Sequence, residues 1–529
     1  MALDKRGDMG RLIAAVALCI CGFALAGPAQ AEAAKTPGVI DRSFGEGGLV
    51  VQPGGLPVYP GPYGPYGEGM AVGPEDEIFA LKSYRTCREA ACRVELFVQR
   101  HLPGGEPDLS FGRGSATEGV AVTAPPAHLA SFFGEPYGSL AVDPAGRPIV
   151  ATVDHGDVIL FRFDRSGRLD PEFGGDGMVV TDFGGGETKP QIDVLGDGRI
   201  VLASGSWQQP ESRAFVILAR YEVNGALDPS FGTGNPESRG AGWMAIPGLV
   251  PGGLALSAGG GIALGGPGCC VSEKRKAVYF GRRSSSGRPV ASFTPASPWR
   301  YLRVGPRARV TAVIALPRGR TYVVGDSDAG VFAARILRSG RLDRTFGKRG
   351  IVQFRGQMVG RSVAVADKSG RLYVSMRRET PGEFEPMQGQ ALVVRLLASG
   401  RPDNSWGSGP GSNALVPGGV TDVMALAFQS SGRLVVYGER TSGCVRSCPL
   451  PDFVLTRLFA GPPPRCFGRE ATIVGTPGSD RLVGTHRRDV IVARGGRDTV
   501  YGRGGNDLIC GGGGRDLLRG GAGRDRIRQ

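Results

Sequence analysis

Near the C-terminus an aspartate recurs every nine residues, at Asp480, Asp489, Asp498, Asp507, Asp516 and Asp525. Residues 475–528 divide without a slip into GTPGSDRLV, GTHRRDVIV, ARGGRDTVY, GRGGNDLIC, GGGGRDLLR and GGAGRDRIR. Carboxylates at fixed spacing are hard oxygen donors, and glycine-rich turns, with Gly495, Gly504 and Gly513 among them, offer backbone carbonyls to the same cation. The chemistry indicated is Ca2+ binding. Two residues after each Asp stands an aliphatic side chain: Leu482, Ile491, Val500, Ile509, Leu518 and Ile527. Six residues therefore form a turn and three a short strand whose aliphatic fills the coil, which describes a parallel β-roll. Alternate nines face opposite sides. Asp480, Asp498 and Asp516 should line one side and Asp489, Asp507 and Asp525 the other, with at most four sites between turns.

This segment resembles the RTX-type calcium-binding repeats of secreted bacterial proteins, and departs from them in charge. Position five is Arg488, Arg497, Arg515 and Arg524 in four of the nines, and the roll holds eleven Arg against six Asp. A guanidinium beside a turn opposes Ca2+ by about 1 kcal/mol per close exposed neighbour. Weak or partial occupancy is therefore expected, with the most intact sites along Asp489, Asp507 and Asp525 and between Asp498 and Asp516.

The rest of the chain must carry this coil. A phrase recurs upstream as GVIDRSFG (38–45), GEPDLSFG (105–112), GRLDPEFG (167–174), GALDPSFG (225–232), GRPVASFT (287–294), GRLDRTFG (340–347), GRPDNSWG (400–407) and GPPPRCFG (461–468). Eight phrases bracket seven units of about sixty residues. Each unit holds an apolar run, an alternating segment turning through Asp and Gly, as in IDVLGDGRIVLASG (192–205), and a last apolar strand, as in AFVILARY (214–221). Such period-2 runs joined by Asp/Gly turns are strands. Four strands per unit without helical periodicity make a propeller blade, and the seven blades must stack about an axis to bury their faces. The expected fold is all-β: a seven-bladed β-propeller of four-stranded blades, followed by a short parallel β-roll.

The repeated residues have structural work. An Arg lies eleven residues before the phrase aromatic and an Asp three before it, which pairs Arg162 with Asp170, Arg220 with Asp228, Arg335 with Asp343 and Arg395 with Asp403. One such pair per blade is expected, forked if geometry allows. Unit five keeps Arg282 but has Val290 at the Asp position, so its pair should be missing. The GxLDxSFG phrase at this spacing resembles the delta-60 repeat of exported bacterial proteins, thought to form β-propellers. That resemblance implies a fold and no activity.

Residues 1–31 read as an export signal, with Lys5, Arg6 and Arg11, an apolar Leu12–Gly27 and an Ala29-Gln30-Ala31 cleavage site; a retained anchor is the alternative. The domains are then signal 1–31, propeller 32–468 and roll 469–529. No later segment is long and apolar enough to span a bilayer as a helix. Export favours paired cysteines. Cys87/Cys92 and Cys444/Cys448 are close pairs in loops, and Cys466 and Cys510 are left to pin the roll; adjacent Cys269 and Cys270 are bonded or reduced. The net charge of +14 comes from dispersed arginines without interleaved aromatics, which gives no specific nucleic-acid signature. No nucleophile elbow, zinc motif or phosphate loop occurs. The reading is a monomeric, extracellular or cell-surface, non-catalytic binding or scaffold protein. Its propeller would display a surface for a cell-wall polymer, glycan or protein; the alternative is a secreted propeller hydrolase or lyase with dispersed active-site residues.

Overall fold

A computed structural model describes residues 37–529 except 53–62, 89–90, 114–119, 124–137, 209–212, 234–237, 248–250, 268–276, 291–292, 294–298, 355–357, 360–361, 380–388, 408–412, 441–451, 462–463 and 476–477. The export signal, Cys269, Cys270, Cys444 and Cys448 lie outside the described residues, as do the side chains of Cys87 and Cys92. The backbone register does set Cys87 opposite Cys92.

Local chemistry makes the hairpins. In the turn between Ser139–Val142 and Pro148–Asp154, Asp143 Oδ1 accepts the amides of Ala145 and Arg147 at 2.9 Å, and Gly146 takes φ +79°. Asp367 does the same for Ser369 and Arg371. Such side-chain turns fix the strand register at each corner.

Seven antiparallel sheets result. Blade two is Ser139–Val142, Pro148–Asp154, Asp157–Arg162 and Met178–Thr181, and blades one to six follow this order, innermost strand first. The innermost strands touch in succession around the ring: Tyr63–Val72, Ser139–Val142, Gly186–Val194, Gly253–Leu256, Arg309–Leu316, Ala364–Ala366, Asp422–Phe428, and back to Tyr63–Val72. Alternation feeds two cores at once. Ile149 and Ala151 face blade three, whereas Val150 faces blade one. Seven apolar clusters lie one at each junction between blades.

The phrase lies between the third and fourth strands of a blade, so the strand following each phrase completes the preceding blade rather than opening a new one. The chain thereby closes the ring. Leu49–Gln52 pairs antiparallel with Asp452–Leu458, the third strand of blade seven, whose other strands are Leu434–Arg440 and Asp422–Phe428. The eighth phrase is different. Its Phe467 has φ +49° in the Arg465–Cys466/Arg469–Glu470 hairpin and lies under Arg526 and Arg528. It belongs to the roll, because no blade remains for it to anchor.

The roll is a parallel coil of about three turns with two strand stacks. One stack runs through Val490–Val492, Leu508–Cys510 and Arg526–Arg528, the other through Arg481–Val483, Thr499–Tyr501 and Leu517–Arg519. Leu482, Ile491, Val500 and Ile509 are buried inside, while Ile527 on the last turn is 44% exposed. Among the described residues no helix is long and apolar enough to cross a membrane.

Candidate functional sites: the calcium roll and the fourth blade

Four of the six roll aspartates commit Oδ1 to a backbone amide of the turn before. Asp498 Oδ1 accepts the amide of Asp480, Asp507 Oδ1 that of Asp489, Asp516 Oδ1 that of Asp498 and Asp525 Oδ1 that of Asp507, all at 2.8–2.9 Å. These ladders fall into the two columns expected from alternation. Thr472 Oγ1 caps the second column at Asp489. At the middle of each column the other oxygen is left over: Asp498 Oδ2 and Asp507 Oδ2 are buried with no hydrogen-bond donor, whereas Asp489 Oδ2 takes the Thr485 amide and hydroxyl. Burial, with the repulsion of Asp516 and Asp480, raises the Asp498 pKa; burial, with Asp489 and Asp525, raises that of Asp507. Buried carboxylate oxygens without donors are a donor set for a hard cation.

The first glycine of a nine leaves no room for a side chain, whereas Gly513 has open space around it. A Cβ on Gly511 would stand 2.5 Å from Asp516 Oδ2, and one on Gly475 2.8 Å from Asp480 Oδ2. Gly495 and Gly513 stack as a parallel bridge, as do Gly504 and Ala522, holding successive turns in phase. Arg488, Arg497, Arg515 and Arg524 are exposed, so solvent screens their effect on the columns.

The roll is fixed to the propeller by a bond and a seam. Cys466 and Cys510 form a disulfide across 44 residues. Sequence reasoning missed the seam, which is made with the phrase of blade six. Ser399 Oγ donates to the Thr472 carbonyl at 2.8 Å, Asn404 Nδ2 to that of Val474 at 3.0 Å, and Arg401 Nη1 to that of Val483 at 3.2 Å. Leu397 packs against Ala471 and Val474. Asn404 was the available signal, since no other phrase has Asn there.

In the propeller the arginine and the phrase form a clamp. Arg162 Nε lies 2.8 Å from Asp170 Oδ2, Arg220 2.6 Å from Asp228, Arg335 2.8 Å from Asp343 and Arg395 2.8 Å from Asp403. Arg100 joins Asp108 at 2.7 Å. Arg457 joins Asp41, from the first phrase, at 2.8 Å and stacks on Phe44, so the closing blade has its clamp too. Only one carboxylate oxygen meets the guanidinium, so the pair is not forked, because the second oxygen serves the turn: Asp343 Oδ1 takes the Thr345 hydroxyl and amide. Each guanidinium also covers its aromatic, at 4.8 Å for Arg162 over Phe173, and donates to a carbonyl of the next blade, as Arg162 does to Val223 and Arg395 to Ala460. The phrase glycine completes the joint. Gly105 has φ +99°, and a Cβ there would lie 2.7 Å from Phe44 of the preceding blade.

Blade four breaks the pattern. Arg282 is buried, and the one hydrogen bond of its guanidinium among the described residues goes from Nη1 to the Gly319 carbonyl. Arg300, not Arg282, covers Phe293, at 5.4 Å. A cavity of about 1140 Å³ opens there, lined by Arg282, Arg318, Arg338, Ser257, Ser339 and Val290 among others, with no acidic residue in its described wall. Burial first, then the Arg338 charge, lowers the Arg282 pKa.

Residues 474–509 and 510–528 match the RTX calcium-binding nonapeptide repeat family, described as four copies, and residues 195–231 match the DUF5122 beta-propeller domain of unknown function. The chain joins a DUF5122 β-propeller to RTX calcium-binding repeats. Ca2+ is accordingly the cofactor of the roll. No curated protein matches the chain. Among solved structures it is similar to YCF48 bound to D1 peptide, at 11% identity over 77% of this chain and 97% of that one, with a TM-score of 0.37. It is similar to the calcium-binding protein regucalcin of Agrobacterium tumefaciens, at 9% identity over 75% and 91%, TM-score 0.30. It is also similar to a gluconolactonase of Xanthomonas campestris, at 13% identity over 63% and 92%, TM-score 0.31. Binding proteins and enzymes both occur among these.

Proposed function

We propose that this chain is an exported, non-catalytic binding protein that takes a carboxylate-bearing glycan of the cell surface or wall at blade four, with the calcium roll as a rigid attachment behind blade six. The observation that carries this reading is the buried, acid-free guanidinium of Arg282 at the wall of a ligand-sized cavity. Six clamps serve the ring alike; the seventh has its arginine and an opening where the carboxylate belongs. A ligand carboxylate would take the place that Asp occupies in the other blades, with Arg318 and Arg338 contributing attraction and the serines hydrogen bonds to sugar hydroxyls. In the roll, Asp480, Asp489, Asp498, Asp507, Asp516 and Asp525 with the turn carbonyls would hold Ca2+, which supplies the charge neutralisation that lets these columns stay buried.

Calorimetric titration of the full chain with a galacturonate oligomer tests this. Binding should be seen, weaken with added salt, and fall at least tenfold in Arg282→Gln, since a charge-assisted hydrogen bond contributes about 1.5–3 kcal/mol. No product should form. Chain cleavage, or binding untouched by the substitution, would contradict the proposal.

A further inference from the structure

Three carboxylates outside the roll converge at the junction of blades two and three. Asp157 opens the third strand of blade two, directly after the His155-Gly156 hairpin turn. Asp182 follows the outer strand Met178–Thr181, and Glu187 is the second residue of the innermost strand of blade three, Gly186–Val194. One oxygen from each lies within 4.8 Å of the others. Among the described residues this is the one group of three or more His, Cys, Asp or Glu side chains to converge in this way.

The backbone holds them there. The Glu187 amide donates to the Gly156 carbonyl at 3.0 Å, tying the hairpin of one blade to the first strand of the next. Asp182 Oδ1 accepts the Gly184 amide at 2.6 Å, and Gly184 turns at φ +80°. These contacts leave Asp182 exposed, Asp157 half-buried and Glu187 fully inside, at 3% exposure. The cluster therefore has a closed floor and an open mouth.

The floor is the telling part. Both carboxylate oxygens of Glu187 are buried and outside hydrogen-bond geometry, and only the Ser206 hydroxyl across the strand pair and the residue's own amide favour its ionised form. An ionised carboxylate taken out of water costs several kcal/mol unless an opposite charge or donors replace the lost solvent. Nearby groups make that worse, since Asp157 and Asp182 add negative charge. Burial first, with Asp182 and Asp157 adding to it, pushes Glu187 up to about 7 against the opposing pull of the Ser206 hydroxyl; burial, Asp182 and Asp154 also raise Asp157. His155 Nδ1 lies 3.1 Å from Asp154 Oδ1, and the charge of His155 lowers Asp157 without outweighing burial and the two aspartates.

We propose that Asp157, Asp182 and Glu187 form a second divalent-cation site, separate from the roll, that pins blade two to blade three. Its donors are all carboxylate oxygens, without sulfur or imidazole, which selects a hard cation, Ca2+ rather than Zn2+. The irregular loop 182–185 and the exposed mouth suit the variable coordination of Ca2+ better than the rigid octahedron of Mg2+.

Terbium luminescence distinguishes this site from the roll. The register sets Glu187 opposite Ser206 and Gly186 opposite Trp207, and Trp243 packs on Phe183 at 5.1 Å. Tryptophan therefore flanks the site, whereas residues 475–528 contain none. Full-length protein titrated with Tb3+ and excited through tryptophan should give sensitised emission that Ca2+ displaces. Glu187→Gln keeps the shape of the side chain and removes the buried charge; it should weaken Tb3+ binding at least tenfold with near-ultraviolet dichroism unchanged, and Asp182→Asn on the exposed rim should weaken it too. Asp489→Asn with Asp507→Asn should leave the signal in place. Absent emission, emission indifferent to both propeller substitutions, or emission lost only with the roll pair would each overturn the proposal.

Discussion

The clamp shows how one arginine serves three purposes: it neutralises an aspartate, covers an aromatic and reaches a carbonyl in the neighbouring blade. Arg395 and Asp403 are both fully buried, so removing one partner strands the other. Asp403→Ala should lower stability by about 3–5 kcal/mol, read from urea unfolding. Lys82 is a second buried charge, donating to Gln52 of the closing strand and to Gln99, and lying over Phe453 at 4.5 Å. Burial pulls its pKa from 10.5 to about 7, and the nearby His101, pulled to about 4 mainly by burial, stays neutral above that. Between pH 7 and 10.5 the unfolded chain binds this proton and the folded chain does not. Stability should therefore rise through that window by about 1.4 kcal/mol per pH unit from this residue, and Lys82→Met should abolish the rise. Melting at several pH values checks it.

At the scale of elements, the roll and the clamps were legible because they repeat: six Asp at one spacing and an Arg–Asp interval kept in blade after blade. The phase of the blades was not. A repeat has no origin in the sequence, so a unit drawn from phrase to phrase begins with a strand that hydrogen bonds to the blade before it. Phe467 has the spacing of an anchor but sits past the last blade. The seam of Ser399, Arg401 and Asn404 against the roll rests on single polar residues that no periodicity marks. The disulfide is an element-scale brace. Closing a loop of this length contributes about 4 kcal/mol in the entropy model, so Cys510→Ser should make the roll melt, or be proteolysed, before the propeller. Chelation of Ca2+ should act in the same direction, because binding is coupled to order in the columns, and circular dichroism should show the loss of strand signal.

The whole molecule is a ring whose first and last segments share a blade. Leu49–Gln52 supplies the outer strand, Asp41 the clamp partner and Phe44 the aromatic of blade seven. Deleting residues up to 52 should remove all three and replace one cooperative unfolding transition by a broader one at lower temperature, seen by calorimetry. The blade-four junction is where the ring lacks its carboxylate, and this defect is where the account locates binding. Val290→Asp is the most direct test. Placing an acid beside Arg282 should raise stability by about 1 kcal/mol or more, because a lone buried charge gains its partner, and should abolish binding of the galacturonate oligomer in the same preparation. A variant that is less stable than the parent and still binds the oligomer would contradict the account.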